Sequence, residues 1–190
     1  MAGEDLLREL LRDTEEKMQK ALEATRRELS TIRTGRANPA ILERVEVEYY
    51  GSRLPLTQVA NISAPEPRML VISPWDKQAL GPIERAILKS DLGLTPNNDG
   101  VVIRLIIPQL TEERRREMTK VVHRKIEDGK VSVRSIRGEA IKELRALKKS
   151  GDVAEDEEKR TEEQVQKLTD KYTYELDLAK TAKDAELMEV

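Results

Sequence analysis

Apolar positions recur at helical spacing near both ends of this chain, and no proline interrupts either region. The N-terminal apolar stripe has a seven-residue repeat and comprises Leu11, Met18, Leu22, Thr25, Leu29 and Ile32. It predicts an amphipathic helix from about Glu4 to Arg33. All eight prolines lie between Pro39 and Pro108. Because proline ends or kinks helices, a differently built segment must lie between the two helical regions.

The C-terminal region predicts two further long helices. Thr111 followed by two acidic residues is typical of a helix start, and this helix is expected to run to about Lys149. A third helix is expected to begin near Ala154, with the acidic run Glu155–Glu158 in its first turn. Its apolar stripe consists of Val165, Leu168, Tyr172, Leu176 and Ala179.

The middle of the chain has the pattern of strands. Residues 44–50 alternate apolar and polar side chains, which predicts a half-buried strand followed by a turn at Gly51 and Ser52. A loop at Pro65–Pro67 precedes a short strand at Met69–Ser73, and Asp76–Ser90 has helical spacing. A hairpin turn at Asn97–Gly100 precedes an apolar strand at Val101–Ile107.

Three helices that are apolar on one side bury their stripes most simply against one another. We therefore predict an α+β fold in which a three-helix bundle is interrupted after its first helix by a small α/β domain. The bundle is expected to comprise residues 1–35 and 110–190, and the inserted domain residues 36–109. The chain would cross twice between the two bodies, which predicts a hinge at Thr34, Gly35, Pro108 and Gln109.

Charge is distributed unevenly along the chain, although the formal net charge is only −2. Residues 108–150 hold 13 basic and 7 acidic residues, a net of +6, and residues 151–190 hold 6 and 13, a net of −7. A basic stretch in an acidic protein favours nucleic acid as a partner. On a helical wheel of the helix expected from Thr111 to Lys149, the apolar seam comprises Met118, Val122, Ile126, Val133, Ile136, Ala140, Leu144 and Leu147. The basic stripe beside this seam comprises Arg116, Lys120, Arg124, Lys130, Arg134 and Arg137. Such a stripe suits several phosphate contacts.

A charged stripe is also what a solvated helix face looks like, and spacing alone leaves that alternative open. Against it, the stripe is mostly of one sign, with Glu127 as its main acid. Gly129 and Gly138 interrupt the same helix, either as tolerated defects or for close helix packing. The alternative at Gly138 is that a phosphate backbone approaches closely beside Arg137.

The segment Ile32–Pro39 places Arg33 and Arg36 around Gly35, where the first helix is expected to end. Gly35 would be a left-handed C-terminal cap, after which Pro39 prevents continuation. The two arginines either stabilise the C-terminal end of the helix through its dipole or bind a ligand, and the segment alone does not decide between these roles.

The sequence offers few residues that could act in catalysis. The absence of cysteine excludes disulfides, thiolate metal sites and a cysteine nucleophile, and the single histidine, His123, has no serine motif near it. The Tyr49-Tyr50 pair is a weak candidate for base stacking and is better explained by strand packing. We expect no catalytic residue, no cofactor and no metal site. No segment has the roughly 18 consecutive apolar residues of a membrane span, and the acidic N-terminus fits no targeting signal. These features predict a cytoplasmic protein, although a mature protein with its signal removed would have the same pattern.

Several sequence blocks, in order, resemble the ribosome recycling factor family over essentially the whole chain. They are Ile32–Pro39, Val47–Gly51, Ser90–Asn98 with Gly100, Leu110–Arg116, Val131–Arg137, Val165–Asp170 and Ala185–Met188. The resemblance implies an L-shaped molecule of transfer-RNA-like dimensions, with a helix-bundle arm and a small α/β arm joined by a hinge. It also implies a non-enzymatic monomer that binds the post-termination ribosome and, with elongation factor G and GTP, splits it into subunits.

The resemblance implies that the bundle binds large-subunit rRNA through Arg33, Arg36, Arg134 and Arg137. The last two also lie on the basic stripe. Ser135 and Gly138 depart from the asparagine and arginine that are usual in the family. The alternative from another functional class is a helical scaffold that binds protein partners, and an enzyme acting through His123 is a third.

Overall fold

The computed structural model describes residues 2–189 of the chain. Its helices are α1 (Ala2–Ser30), α2 (Leu56–Val59), α3 (Leu80–Lys89), α4 (Glu112–Ser150) and α5 (Glu155–Met188). Its strands are β1 (Glu46–Tyr49), β2 (Ser52–Pro55), β3 (Ala60–Glu66), β4 (Met69–Pro74), β5 (Pro96–Asn98) and β6 (Ile103–Ile106). The α+β class and the three long helices are thereby confirmed.

The chain divides into two compact units. The bundle unit combines the segment up to Leu29 with Thr119–Asp184, and the sheet unit combines Ser30–Met118 with the segment from Ala185 onward. Thr34, Gly35, Pro108 and Gln109 therefore all belong to the sheet unit, and the divisions differ from the predicted ranges 1–35, 36–109 and 110–190. Asn38 Nδ2 donates to the Ser30 carbonyl, and Arg36 pairs with Glu189, which ties the chain after α1 to the sheet unit.

The bundle unit buries one face of each long helix. In α4 the buried residues are Val122, Ile126, Gly129, Val133, Ala140 and Leu144, the side predicted from the helical wheel. In α1, Met18, Leu22 and Leu29 are buried, and in α5 Val165, Tyr172 and Leu176 are buried. The predicted apolar stripes are therefore the contact faces of the bundle.

Glycine at position 129 is required by close helix packing. A Cβ built there would lie 2.6 Å from Thr25 Oγ1 of α1 and 3.2 Å from Leu176 Cδ2 of α5. Gly138 differs, because a Cβ there would meet no heavy atom within 4 Å. The packing explanation therefore holds for Gly129 and not for Gly138.

The sheet unit contains an antiparallel sheet in the order β3-β4-β6-β5 and a separate β1–β2 hairpin. Alternate residues of the strands, among them Leu70, Ile72, Ile103 and Leu105, are fully buried. They form one core with Ile83 and Ile87 of α3. The strand alternation predicted around Val47 is confirmed. A hairpin also forms where one was predicted, but Asn97 and Asn98 are paired in β5 and the turn lies at residues 99–102 rather than at Asn97–Gly100.

Several local predictions were wrong. Helix α1 ends at Ser30 rather than Arg33, and Gly35 is absent from the residues with positive φ, so it is not a left-handed cap. Strand β3 continues through Pro65 to Glu66, where a loop was expected. Proline is tolerated there because β3 is an edge strand with an irregular register between Ser63 and Glu66.

The predicted helix over Asp76–Ser90 starts as a 3₁₀ turn at Lys77–Ala79 before α3 begins. The cause is local, because the Asp76 side chain accepts the backbone N–H of Gln78. Strand β2 and the single turn α2 were not predicted. Within residues 2–189, none of the helices has the length and apolar character needed to span a membrane.

Candidate nucleic-acid interface

The outward side of α4 in the bundle unit carries cations that have no partner within the described part of the chain. Lys120, Arg124 and Arg134 are exposed, and none of them has a hydrogen bond or ion pair with any residue in 2–189. Their position follows from the helix geometry, because the opposite side of α4 is buried against α1 and α5. We call Lys120, Arg124, Arg134 and the neighbouring Arg137 the basic face.

Arg137 is half-buried and its guanidinium is oriented by α5. Its Nη1 donates to Gln166 Oε1 at 3.3 Å. Because a hydrogen bond to a neutral amide leaves the guanidinium charge uncompensated, Arg137 keeps its positive charge available to an anion. Gly138 follows directly and is exposed, so the helix backbone beside Arg137 is open.

Two further cations extend this surface and were missed in the sequence. Lys142 and Arg145 are exposed, and neither has a hydrogen bond or ion pair with a described residue. Together with Arg137, Gly138, Gln166 and Glu162, they line a shallow cleft between α4 and α5. The same helical periodicity would have found them, because Arg145 follows Arg134 by eleven residues, about three helical turns.

Lys130, by contrast, is engaged inside the bundle unit. Its Nζ lies 2.7 Å from Asp177 Oδ1 of α5 and 3.6 Å from Glu127 Oε1, and its side chain is only 15% exposed. The hydrogen bond that Lys130 Nζ donates to the Asp177 carboxylate raises the pKa of Lys130. The structure therefore gives this predicted RNA contact a partner in the adjacent helix.

The remaining predicted cations lie in the sheet unit, and each has a partner there. Arg116 pairs with Glu112 at 2.6 Å, and Arg36 pairs with Glu189 at 2.7 Å. Arg33 is half-buried and donates through Nη1 to the Leu92 carbonyl. The Arg116 and Arg36 side chains remain 76% and 49% exposed, so their ion pairs are solvated and weak.

The side chains of the basic face are of the kind that can bind phosphate. Its arginines offer paired N–H donors that match phosphate oxygens, and binding to it would weaken as salt rises. His123 is exposed on α4 and has no partner among the described residues. No group of three or more histidine, aspartate or glutamate side chains in 2–189 is arranged to hold a metal ion.

Comparison with known proteins gives a consistent result over nearly the full chain. The family model described as "Ribosome recycling factor" matches residues 25–188. The ribosome-recycling factor of Heliobacterium modesticaldum is 55% identical over 185 residues, which cover 97% of this chain and 100% of the relative. The ribosome-recycling factor of Bacillus subtilis (strain 168) is 54% identical over 183 residues, which cover 96% and 99% of the two chains.

Comparison with solved structures indicates the same family. A solution structure of a ribosome recycling factor has a TM-score of 0.76 and 42% identity, covering 97% of this chain and 98% of that chain. The T. thermophilus ribosome recycling factor, described with E. coli elongation factor G bound to the E. coli post-termination complex, has a TM-score of 0.69 and 45% identity, covering 96% and 99%. This chain therefore belongs to the ribosome recycling factor family, whose members are translation factors and not enzymes.

Proposed function

We propose that this protein binds the post-termination ribosome and, together with elongation factor G and GTP, splits it into subunits. The bundle unit contacts large-subunit rRNA through the basic face of α4. Elongation factor G acts on the sheet unit, and the factor works as a monomer in the cytoplasm. Support for the partners comes from the T. thermophilus relative described with elongation factor G and the post-termination complex.

The observation that carries the RNA contact is the set of free cations on α4. Lys120, Arg124 and Arg134 are exposed and have no partner among residues 2–189, whereas Lys130 and Arg116 are paired with Asp177 and Glu112. A face whose only purpose is solubility would interleave both signs and pair its charges. Unpaired cations in a row leave the protein with a local field that attracts a polyanion.

The experiment is sedimentation of the full-length protein with purified large ribosomal subunits across a salt series. Changing Arg134 and Arg137 to alanine should weaken binding and make the dependence on log[salt] shallower by about two units of slope, because each lost phosphate contact removes about one. The matched control is the double change of Arg8 and Arg12 to alanine, which removes the same charge from exposed sites on α1.

Two outcomes separate the contact from a general charge effect. If the α4 variant binds and splits ribosomes as the parent does, the basic face is not the RNA-binding surface. If the α1 control weakens binding as much, net charge rather than the basic face controls the affinity. Circular dichroism of each variant verifies that the helices are intact.

A further inference from the structure

The sheet unit contains a cleft between the β1–β2 hairpin and helix α3. It has a volume of about 950 Å³, and every residue that lines it falls between Thr31 and Leu92. All of these residues belong to the sheet unit, so the cleft lies within one compact unit. Helix α3 packs against β1, which brings exposed side chains of both elements to the same opening.

The floor of this cleft is apolar. Ile41 and Val45 line it and are also buried members of the sheet-unit core. Ala86 and Leu92 line it as well and are partly buried against the same core. Protein-binding surfaces combine an apolar centre of this kind with a polar rim. The composition of the cleft therefore suits a protein partner.

The two sides of the cleft carry opposite charges. Arg85 and Lys89 are exposed one helical turn apart on α3, and Glu46 and Glu48 are exposed at alternate positions of β1. Within residues 2–189, no ion pair joins these two sides. Glu48 pairs instead with Arg53 of the same hairpin at 3.8 Å, and these two side chains remain 74% and 73% exposed. The charges on both sides are therefore open to a partner.

A partner of mixed charge fits this cleft better than RNA does. Four basic and three acidic residues line it, a net of +1. The basic residues are Arg44, Arg53, Arg85 and Lys89, and the acidic residues are Glu46, Glu48 and Asp91. An RNA backbone carries a negative charge at every nucleotide, and the grooves that bind it are basic, whereas three carboxylates would oppose it here. A protein segment with both acidic and basic side chains can match both sides.

We propose that this cleft is the docking site for a protein segment that presents basic side chains to β1 and acidic side chains to α3. The inference rests on the proposed function, because elongation factor G is the protein that this function brings to the sheet unit. We expect the segment to belong to elongation factor G. The opposite charges fix the orientation of the segment, since a reversed segment would place like charges together.

Neutralising each side of the cleft separately tests the charge pattern. One full-length variant carries Arg85→Gln and Lys89→Gln, and a second carries Glu46→Gln and Glu48→Gln. Each variant should raise several-fold the elongation factor G concentration that gives half-maximal ribosome splitting, measured by light scattering, although the two variants change the net charge in opposite directions. Binding to the large subunit, measured by sedimentation, should stay at the parental level because the basic face of α4 is unchanged.

A matched control separates the cleft from a general charge effect. Changing Glu66 and Glu113 to glutamine removes two negative charges from exposed sheet-unit positions outside the cleft and should leave the dependence on elongation factor G unchanged. A control that behaves like the β1 variant would contradict the proposal, as would parental behaviour of both cleft variants. If the β1 variant needs less elongation factor G while the α3 variant needs more, the cleft binds a polyanion and the proposal is wrong.

A crosslink identifies the occupant directly. The chain has no cysteine, so Asp91→Cys places a single thiol at the cleft for a benzophenone label. The labelled protein is irradiated on purified post-termination ribosomes with elongation factor G, and we expect a crosslink to elongation factor G. A crosslink to RNA or to a ribosomal protein, or none from protein that has sedimented with the ribosome, would overturn the proposal. Failure of the unsubstituted protein to sediment with ribosomes would instead overturn the proposed function, and this inference with it.

Discussion

Gly129 of α4 and Thr25 of α1 lie in direct contact, and a Cβ at position 129 would come within 2.6 Å of Thr25 Oγ1. Thr25 cannot move away easily, because its hydroxyl donates to the Ala21 carbonyl at 3.0 Å. The packing of α4 against α1 at this point therefore depends on the absence of a side chain at position 129.

Gly129→Ala should lower the free energy of unfolding by about 1–3 kcal/mol through overpacking. Gly138→Ala is the matched control on the same helix, where an added Cβ meets nothing within 4 Å. Since alanine is the better helix former, this control should raise stability by about 1 kcal/mol. Urea unfolding of both variants measures the two values. Equal effects of the two changes would mean that the contact with Thr25 is unimportant.

Asp99 makes the β5–β6 turn sensitive to acid. Its carboxylate accepts the backbone N–H groups of Val101 and Val102 and pairs with Arg104, which together lower the pKa of Asp99 to about 2 from 3.8. A lowered folded-state pKa means that this stabilisation is present above pH 3.8 and disappears as the pH falls through about 2. Asp99→Asn should therefore be less stable than the parent at neutral pH.

That stability difference should shrink as the pH falls from about 4 to 2, because the parent then loses its carboxylate as well. Thermal unfolding of parent and variant at matched pH values provides the measurement. A difference that stays constant over this range would show that the charge of Asp99 contributes nothing to the turn.

Lys142 and Arg145 should extend the RNA contact beyond Arg137. Changing both to alanine should weaken large-subunit binding and reduce its salt dependence, with little effect on the melting temperature, because both side chains are exposed and unpaired among the described residues. The comparison is Lys130→Ala, which removes the pair with Asp177. Lys130→Ala should lower the free energy of unfolding by about 1 kcal/mol or less. It should also change the salt dependence of large-subunit binding less than the double change of Lys142 and Arg145 does. The opposite ranking in the salt series would assign the contact to Lys130.

Gly35→Ala tests the hinge predicted from the sequence at Thr34 and Gly35, both of which lie within the sheet unit. Position 35 has no positive φ and has room for a Cβ, so alanine should fold normally while it reduces backbone freedom. We expect unchanged binding to the large subunit and slower splitting with elongation factor G and GTP, followed by light scattering. If splitting proceeds at the parental rate, motion at residue 35 is not part of the working step.

The apolar pattern predicted the three long helices and their buried sides. A helix rotates by about 100° per residue, so the spacing of Val122, Ile126 and Val133 places them on one side of α4 whatever packs against them. The hairpin near Asn97–Gly100 could also be predicted, because asparagine, aspartate and glycine favour hairpin turns whatever the rest of the chain does. Strand β3 was missed because Pro65 is acceptable only at a sheet edge, and edge position depends on the arrangement of the other strands.

The sequence predicted that the basic side chains form one stripe along α4. Which predicted cations form ion pairs within the protein also depends on segments that are distant in the sequence. Lys130 is paired because α5 brings Asp177 beside it, and Arg36 is paired because Glu189, 153 residues away, comes within 2.7 Å. The helical periodicity of α4 cannot reveal these partners, because Asp177 and Glu189 are distant in the sequence. Lys142 and Arg145 differ, because helical periodicity alone places them beside Arg134 and Arg137, and only the cleft that they line between α4 and α5 depends on the fold.

The sequence by itself determined the α+β class, the faces of the long helices, the basic character of α4 and the resemblance to the family. These properties follow from backbone geometry and residue order over a few turns. Only the tertiary structure decided that Gly129 is a packing residue, that Lys130 is paired, and that Arg85 and Lys89 line one cleft with Glu46 and Glu48. Each of these depends on which distant side chain approaches, and that is set by how the helices and strands pack together.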